Sequence, residues 1–360
     1  MPASPASPKA ALPPAIAAAF AKQAGFCRFS GSPLTAQVCE AAVLALGADS
    51  ATGRAIIAWP GEPFADALMM RLTGGCNALV RSGDAPELAA LYPPAALPHV
   101  DALAAALRAV LADPVRDALL CEWLAGPPQT NEVARSGVLM PGLMAIAAAT
   151  GLPLRLFELG TSAGLNLNLD RFGYRLGGVA VGDAASPVQL VPDWDGPPPA
   201  AAKVTIAARR GVDINPLDVD DDAVRARLLA YVWPDQRERV ARAEAAIALA
   251  RAMPPPIDRG DAADWVEGRV APVAGSVAVV FHSIAFQYFP GAAQARIAAH
   301  MAAIGAAATA DAPVAWLRYE MDDASQADLP TLRLTLWRGA VPAESLLARA
   351  HPHGAFVKWQ

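Results

Sequence analysis

The sequence predicts an α/β fold in which an all-helical N-terminal region precedes a mostly parallel sheet with closing antiparallel strands. From about residue 13 to 150, apolar residues recur every three or four positions, which is the helical period. From about residue 151 to 360, short apolar runs alternate with helical stretches, as in parallel sheets whose strands are joined by helices. The Pro- and Ala-rich residues 1–12 are predicted to be a disordered tail.

Helices are predicted in both parts of the chain. In the N-terminal region they cover residues 35–46, 64–80, 100–111 and 114–124. In the C-terminal region they cover residues 164–171, 221–231, 236–252, 262–268 and 292–304. Asp113 followed by Pro114 is a typical helix start, because Asp caps free N–H groups and Pro suits the first helical position.

Six strands are predicted after residue 151, at residues 154–157, 204–214, 277–281, 314–319, 332–337 and 355–359. The connection between the last two contains Pro and Gly but no clear helix, which favours an antiparallel closing pair at the sheet edge. A Gly-, Pro- and Asp-rich segment at about 172–200 interrupts the alternation and is predicted to be an insertion. Gly177 and Gly178 suit the turn of a hairpin within it.

Composition restricts the classes of partner and location. The chain has 360 residues, of which 54% are hydrophobic, enough for a sizeable core. With a net charge of −5 and scattered Arg residues, no nucleic acid is expected as a partner. No long apolar stretch lacks both Pro and charge, and the N-terminus lacks a signal-peptide core, so no membrane span is expected. The four Cys form no C-x-x-C pair, which favours no metal and a reducing cytoplasmic location.

The most informative segment is the turn after the first predicted strand. Glu158 stands at the strand end, and Gly160, Ser162 and Gly164 follow in a run of small residues before a helix. Glycines let the backbone turn sharply and let a ligand approach it closely, while the N–H groups of a helix start face the same space. An acid with small residues at such a corner favours a ligand site over packing alone.

Polar residues also follow the other predicted strands, at the end of the sheet where ligands bind in folds of this class. Asp213 lies near the end of the second strand, and Asp261 opens a helix. His282 ends the next strand, with Tyr288 shortly beyond it. A helix N-cap is also a sufficient explanation of Asp261 alone. As a set, these residues favour a shared site.

A second polar cluster lies just before the helical stretch that leads into the first strand. It contains Gln129, Asn131, Glu132 and Arg135. Asn131 fits a helix N-cap, and Glu132 would then lie in the first turn, where negative charge is favoured. Because this stretch leads directly into the strand that ends at Glu158, the cluster is also expected to lie over that corner and to bind a polar substrate.

On these segments, residues from about 151 to 360 resemble the class I S-adenosylmethionine-dependent methyltransferases. The resemblance implies a Rossmann-like, methyltransferase-type sheet and S-adenosylmethionine as the cofactor of a transferase. Glu158 would hold the amino-acid end of the cofactor, and Gly160 and Gly164 would leave room for it. Asp213 would bind the ribose hydroxyls, and Asp261 would bind the adenine amine.

The same resemblance places His282 beside the transferred methyl group, where it would orient or deprotonate a small polar acceptor, since imidazole titrates near neutral pH. Two features depart from the methyltransferase pattern. Ser162 replaces the middle glycine and would crowd the cofactor slightly or donate a hydrogen bond to it. Asp213 follows the first motif by much more than the roughly 20 residues expected by analogy with dinucleotide sites, because the predicted insertion intervenes.

The chain as a whole resembles a bacterial family of unknown function that carries ELG-x-SAGLN, QTNE and YVWPDQ segments. Here these are residues 158–166, 129–132 and 231–236. In the last of them, Trp233 is expected to be a packing anchor rather than a residue that stacks on a base. This second resemblance brings no known activity.

Two other functions stay open. Gly160, Ser162 and Gly164 also match the nucleophile elbow of a serine hydrolase, and Asp322 with a later histidine, His351 or His353, follows in the required order. The helical upstream third and the missing oxyanion segment argue against it. The third function is a non-catalytic module on the same fold, which binds a nucleoside or a partner, because a fold does not fix a function.

Overall fold

The computed structural model of the chain describes residues 12–322 and 329–360. All but the last residue of the predicted tail at 1–12 therefore lies outside the described residues. Two compact units are present: the first comprises the chain up to Thr130 together with Asp222–Ala241, and the second comprises Asn131–Asp221 and Arg242–Gln360. The predicted boundary near residue 150 thus differs from the boundary of the units.

Helices dominate the first unit and connect the strands of the second. They are α1 (Pro14–Phe29), α2 (Pro33–Ala45), α3 (Ala51–Ile57), α4 (Leu68–Ser82), α5 (Pro86–Ala89), α6 (Val100–Ala112), α7 (Pro114–Ala125), α8 (Ser136–Thr150), α9 (Asp222–Ala230), α10 (Arg237–Ala252), α11 (Ala262–Arg269) and α12 (Gly291–Ala306). The predicted helices are confirmed, except that residues 165–171 form a 3-10 helix. Helix α1 was not predicted because Ala on several faces gives no periodic signal.

The segment Tyr231–Gln236, which joins α9 to α10, is fixed inside the first unit by polar contacts. The Asp235 carboxylate accepts hydrogen bonds from the Leu34 N–H at 2.8 Å and from the Ser32 hydroxyl at 2.5 Å. Both donors lie at the start of α2, whose free N–H groups need acceptors. Asp235 therefore acts as a cap for a helix that lies about two hundred residues earlier in the chain.

Aromatic packing fixes the same segment. Trp233 is buried, and its ring lies 6.0 Å from that of Phe26 in an edge-to-face arrangement. The prediction that Trp233 is a packing anchor is therefore confirmed. Tyr231 packs over Gly74 of α4, where a Cβ atom would lie only 2.6 Å from the Tyr231 ring. These contacts place residues 222–241 in the first unit.

The second unit is built on a nine-stranded mixed sheet with a small three-stranded sheet beside it. The strands are β1 (Leu154–Leu159), β2 (Gly173–Leu176), β3 (Val179–Gly182), β4 (Gln189–Leu190), β5 (Asp193–Asp195), β6 (Ile206–Asp213), β7 (Ile257–Arg259), β8 (Val277–Ser283), β9 (Val314–Glu320), β10 (Thr331–Trp337), β11 (Pro342–Ala350) and β12 (Phe356–Trp359). The large sheet has the order β5-β12-β11-β10-β9-β8-β1-β6-β7. The predicted hairpin is confirmed as β2 and β3, which pair around Gly177 and Gly178.

Five neighbouring strands of the large sheet, β7-β6-β1-β8-β9, run parallel. Numbered by their order along the chain, they read 3-2-1-4-5, which is the order found in doubly wound sheets. The direction of winding reverses between β1 and β8. In such sheets ligands bind in the crevice outside the carboxyl ends of the strands at that reversal. The topology therefore directs attention to the residues that follow β1 and β8.

The closing strands differ from the predicted pair. Strands β10, β11 and β12 form an antiparallel meander next to β9, so β11 separates the two strands that were predicted to pair. β11 was missed because its first four residues are exposed, which removes the alternation of apolar and polar residues that marks a strand. Part of the predicted insertion joins the main sheet, since β5 pairs in parallel with β12.

The two faces of the large sheet are covered by different helices. On one face, α8 lies so close that a Cβ atom on Gly142 would meet the Leu317 side chain at 2.8 Å. On the other face, Trp316 packs in a cluster with Ile297 and Met301 of α12. Because side chains alternate along a strand, the neighbouring residues 316 and 317 mark opposite faces. Glu158 is on the α8 face and His282 is on the α12 face, by the same alternation and the strand register.

One helical stretch, Val133–Thr150, is long and apolar enough to span a membrane by length and composition. It includes α8, and 72% of it is buried inside the structure. The apolar character of this stretch is explained by its position against the sheet.

Candidate functional site

The turn after β1 has a left-handed backbone at three positions. Gly160 and Gly164 both have φ of +68°, and Ser162 has φ of +56°. Glycine adopts this conformation freely, but a side chain such as that of Ser162 makes it costly by about 1–2 kcal/mol. The Ser162 N–H donates to the Asp213 carboxylate at 2.8 Å, which holds the turn against the end of β6. Strain of this kind concentrates at binding and catalytic sites.

Both glycines of the turn are packed against other parts of the protein. A Cβ atom on Gly160 would lie 2.8 Å from the Cβ atom of Ala285, in the loop after β8. A Cβ atom on Gly164 would lie 2.7 Å from the Ile257 side chain in β7. The turn therefore needs glycine for close packing at these two points. Their role in admitting a cofactor stays a prediction.

Glu158 is a buried acid at the carboxyl end of β1. It is only 2% exposed, and its one recorded hydrogen bond among the described residues comes from the Thr161 hydroxyl. The pKa of Glu158 is raised to about 8, chiefly by burial and also by the nearby Asp213, against the opposing effects of Thr161 and Arg135. Most Glu158 side chains are therefore protonated at neutral pH. A cation bound beside this carboxyl would favour its ionised form.

The two other predicted cofactor acids hold backbone N–H groups. Asp213 accepts from Ser162 through one oxygen and from Asn215 through the other, both at 2.8 Å. Asp261 caps α11, where its Oδ1 atom accepts the N–H groups of Ala263 at 2.8 Å and Asp264 at 3.1 Å. The helix-cap interpretation of Asp261 is thus confirmed. Whether either acid also binds a cofactor stays a prediction.

His282, the predicted catalytic residue, is fully buried with partners on both ring nitrogens. The Trp316 indole N–H donates to Nε2 at 3.1 Å. Because an indole can only donate, Nε2 carries no proton, and the Nδ1–H group donates to Glu320 at 2.7 Å. The ring also stacks on Phe286 with centroids 4.6 Å apart. In this arrangement His282 supports the loop after β8 and presents no free nitrogen to a substrate.

Glu320, at the end of β9, organises the loop after β8. Its Oε1 atom accepts the His282 N–H and also the backbone N–H groups of Ala285 at 3.0 Å and Phe286 at 3.1 Å. Its Oε2 atom is buried and has no hydrogen-bond partner among the described residues. The signal in the sequence was an acid at the end of a strand next to β8, since such positions face the crevice.

The segment before α8 contacts the turn after β1 directly, as the sequence predicted. The Asn131 side chain accepts the Leu165 N–H at 2.9 Å, at the end of the turn. The Ser136 hydroxyl donates to the Asn166 side chain at 2.7 Å. The predicted capping roles are exchanged, because Glu132 is the residue that caps the 3-10 turn before α8, while Asn131 caps residues 165–171.

Arg135 lies at the same edge of the sheet. Its Nη1 atom donates to the Ser283 carbonyl at the end of β8, and its Nε atom donates to the Pro352 carbonyl, both at 3.0 Å. Burial lowers the pKa of the Arg135 guanidinium, and Glu132 and Glu320 partly oppose that effect. The positive charge of Arg135 also lowers the pKa of Glu158.

Tyr288 and Gln129 are the remaining predicted substrate residues. Tyr288 ends a short 3-10 turn after β8 and is 70% exposed, so it is accessible to a ligand. Gln129 belongs to the first unit, whereas Asn131, Glu132 and Arg135 belong to the second.

The hydrolase interpretation lacks an assembled triad among the described residues. The Ser162 hydroxyl is buried without a hydrogen-bond partner, so no base is in position to activate it. Asp322 instead accepts hydrogen bonds from Thr331 at 2.7 Å and from Arg333 at 2.6 Å. The Nδ1 atom of His351 accepts the backbone N–H of His353 at 3.1 Å.

No metal cluster can be assigned in the described parts of the chain, where no group of three or more His, Cys, Asp or Glu side chains is arranged to hold an ion.

Comparison with known proteins identifies the family of the chain. The family model DUF2332, described as uncharacterized protein conserved in bacteria, matches residues 17–359. Because this match covers nearly the whole chain, the protein belongs to that family. No curated protein and no solved structure matches the chain. Family membership supplies no activity, so the function has to be argued from the site.

Proposed function

We propose that the second unit binds S-adenosylmethionine in the crevice between the carboxyl ends of β1 and β8 and transfers its methyl group to a small polar acceptor. The observation that carries the proposal is the position of Glu158 and its strained turn at the reversal point of a 3-2-1-4-5 sheet. A buried acid whose pKa is about 8, with one hydroxyl as its recorded partner, is suited to a cationic ligand.

Glu158 would bind the ammonium group at the amino-acid end of the cofactor. In the free protein its carboxyl group is mostly protonated at neutral pH, because burial disfavours the charge. The arriving cation would stabilise the carboxylate and displace the proton. The buried Ser162 hydroxyl, which has no partner among the described residues, is available to donate to the same ligand.

The nucleoside end of the cofactor would lie over β6 and β7. Each Asp213 oxygen accepts one N–H group but retains a second lone pair for a ribose hydroxyl. Asp261 caps α11 through Oδ1, which leaves Oδ2 for the adenine amine. These acids follow neighbouring strands in the order that the methyltransferase resemblance implies.

Methyl transfer in this site would depend mainly on holding the methyl donor and the acceptor in line, which is a large part of catalysis for two-substrate reactions. His282 would act as a positioning residue, since its nitrogens bind Glu320 and Trp316. Its stacking on Phe286 supports the loop that carries Tyr288. A direct role for His282 as a base would require one of these hydrogen bonds to break.

The second candidate function is binding of the same nucleoside ligand without methyl transfer. One observation favours it: the side chain that the resemblance places beside the methyl group is buried and has both nitrogens engaged. A regulatory or interaction module on this fold would keep the Glu158 turn and need no base.

Calorimetric titration with S-adenosylmethionine and S-adenosylhomocysteine tests the proposal. We expect micromolar binding to the wild type and a loss of about tenfold or more in Glu158→Gln. Glu238→Gln, which changes an exposed acid in α10, is the matched control and should bind as the wild type does. Absence of binding to both ligands would refute the proposal. Binding of S-adenosylmethionine without its conversion to S-adenosylhomocysteine in the presence of any tested acceptor would favour the second candidate.

A further inference from the structure

Arg135 is held at the crevice by carbonyl groups alone. Its Nε and Nη1 atoms donate to the Pro352 and Ser283 carbonyls, and these bonds fix the plane of the guanidinium. Among the described residues, its Nη2 atom has no hydrogen-bond partner and the side chain forms no ion pair. An arginine that is anchored through Nε and Nη1 in this way leaves Nη2 for contact with an anion.

Among the described residues, no negatively charged side chain contacts Arg135 directly. Burial lowers the pKa of the guanidinium, because the two carbonyls replace its hydration only in part. Its charge interacts over a distance with three acids, Glu132, Glu158 and Glu320. Among the described residues, none of them forms an ion pair with Arg135. A ligand anion in contact with Nη2 would compensate the charge.

Glu158, in turn, has no cation in direct contact with its carboxyl group among the described residues. Its carboxyl group is buried, it receives one hydroxyl hydrogen bond, and Arg135 is close enough to lower its pKa without forming a direct ion pair with it. Ser283, whose carbonyl accepts from Arg135, lies two residues beyond Phe281, and Phe281 pairs with Glu158 between β8 and β1. Arg135 is therefore anchored at the same end of these neighbouring strands as Glu158. A ligand that carries both signs of charge on neighbouring atoms would satisfy both and would add no net charge to the site.

We infer that Arg135 and Glu158 together bind an α-amino-carboxylate group, with the ligand carboxylate on Arg135 and the ligand ammonium on Glu158. The inference deepens the proposed function, on which it rests for the identity of the bound molecule. The α-amino-carboxylate group belongs either to the methyl donor or to an amino-acid acceptor, and the same contacts serve both. A phosphate would fit less well, because its second negative charge would face Glu132 and Glu320 without a second cation.

Titrations with three probes test the inference. They are S-adenosylhomocysteine, its decarboxylated amine, and 5′-methylthioadenosine, which lacks the whole amino-acid group. For the wild type we expect the decarboxylated probe to bind about tenfold or more weakly than S-adenosylhomocysteine, since a charge-assisted hydrogen bond is lost. Because only the ligand changes, this arm does not depend on the folding of a variant.

The protein arm uses Arg135→Met with Arg155→Met as the matched control, since the half-buried Arg155 donates to the Ala271 carbonyl outside the site. Arg135→Met should weaken the binding of S-adenosylhomocysteine by about tenfold or more and the binding of 5′-methylthioadenosine by less than twofold. Arg155→Met should change neither. Equal weakening of both probes would mean that Arg135 only supports the fold, and would overturn the inference.

Saturation-transfer NMR with free L-alanine and L-serine tests whether the bound α-amino-carboxylate group belongs to the methyl donor or to an amino-acid acceptor. If S-adenosylhomocysteine binding is insensitive to Arg135 but the amino acids bind in an Arg135-dependent way, the group belongs to the acceptor. If no adenosyl probe binds and the amino acids still bind through Arg135, the inference stands while the methyltransferase proposal fails. If the removal of the carboxylate and the Arg135→Met substitution both leave every affinity unchanged, the inference is wrong.

Discussion

Glu158 and Asp235 are acids in two of the most distinctive segments of the chain, and the structure treats them differently. Asp235 accepts two hydrogen bonds at the start of α2, from the Leu34 N–H and the Ser32 hydroxyl, so each of its oxygens has a protein partner. Glu158 is almost fully buried and receives one hydrogen bond from the residues that the structure describes. The role of Asp235 is therefore explained by the fold. Glu158 instead lacks a cationic partner, which a bound ligand would supply.

Replacing Glu158 gives the largest expected effect on stability. Between pH 4.5 and about 8 the folded protein retains the Glu158 proton and the unfolded chain does not. The contribution of Glu158 to the free energy of unfolding of the wild type therefore falls by about 3–5 kcal/mol as the pH rises through that window. Glu158→Gln removes the effect, because the amide stays neutral.

Urea unfolding at several pH values checks this prediction. We expect Glu158→Gln and the wild type to differ little in their pH dependence below pH 5, and the variant to gain relative stability steadily up to pH 8. A constant difference between the two proteins from pH 5 to pH 9 would show that Glu158 is not a buried protonated acid.

Replacing Asp235 is expected to change the free energy of unfolding in the opposite direction from replacing Glu158. Asp235→Ala should lower the free energy of unfolding by about 2 kcal/mol at pH 7, because α2 loses a cap and the Ser32 hydroxyl loses an acceptor. Chemical denaturation measures the change, with Glu238→Ala in the exposed part of α10 as the control. Affinity for S-adenosylhomocysteine should stay within twofold. A ligand-binding defect in Asp235→Ala without loss of stability would contradict the assignment of this acid to the fold.

Much of the sheet was predictable from the sequence, and the reason is local. Strand β8 begins with a continuous apolar run, β1 is mostly apolar, and the Gly160–Gly164 turn carries small residues that mark a sharp corner. The contact between the segment around Asn131 and this corner was also predictable, since α8 leads directly into β1. The meander was not, because β11 begins with exposed residues.

The chemical roles of the side chains were harder to predict because they depend on distant partners. His282 was assigned to a substrate, yet its nitrogens bind Trp316 and Glu320, which lie 34 and 38 residues later in the chain. Gly160 was assigned to a cofactor, and its close packing on Ala285 is a second constraint that the sequence did not reveal. Spacing along the chain carries no information on contacts of this kind, which are determined by the pairing of β8 with β9.

The strain at Ser162 gives the smallest expected effect. Ser162→Gly should stabilise the protein by about 0.5–1 kcal/mol, because glycine adopts the left-handed conformation at φ of +56° without steric cost. Ser162→Ala is the control, since it removes the same unpaired hydroxyl but keeps the strained Cβ atom. Thermal unfolding of both variants measures the difference. If the glycine variant is less stable than the alanine variant, the turn is not strained at this position.

The most direct test of the central claim is the number of protons released when S-adenosylhomocysteine binds at pH 7, measured by calorimetry in two buffers of different ionisation enthalpy. A pKa of about 8 for Glu158 in the free protein predicts release of nearly one proton, as the ligand ammonium stabilises the carboxylate. Glu158→Gln should release none and bind more weakly. Tight binding to the wild type without proton release, or no binding at all, would contradict the role assigned to Glu158.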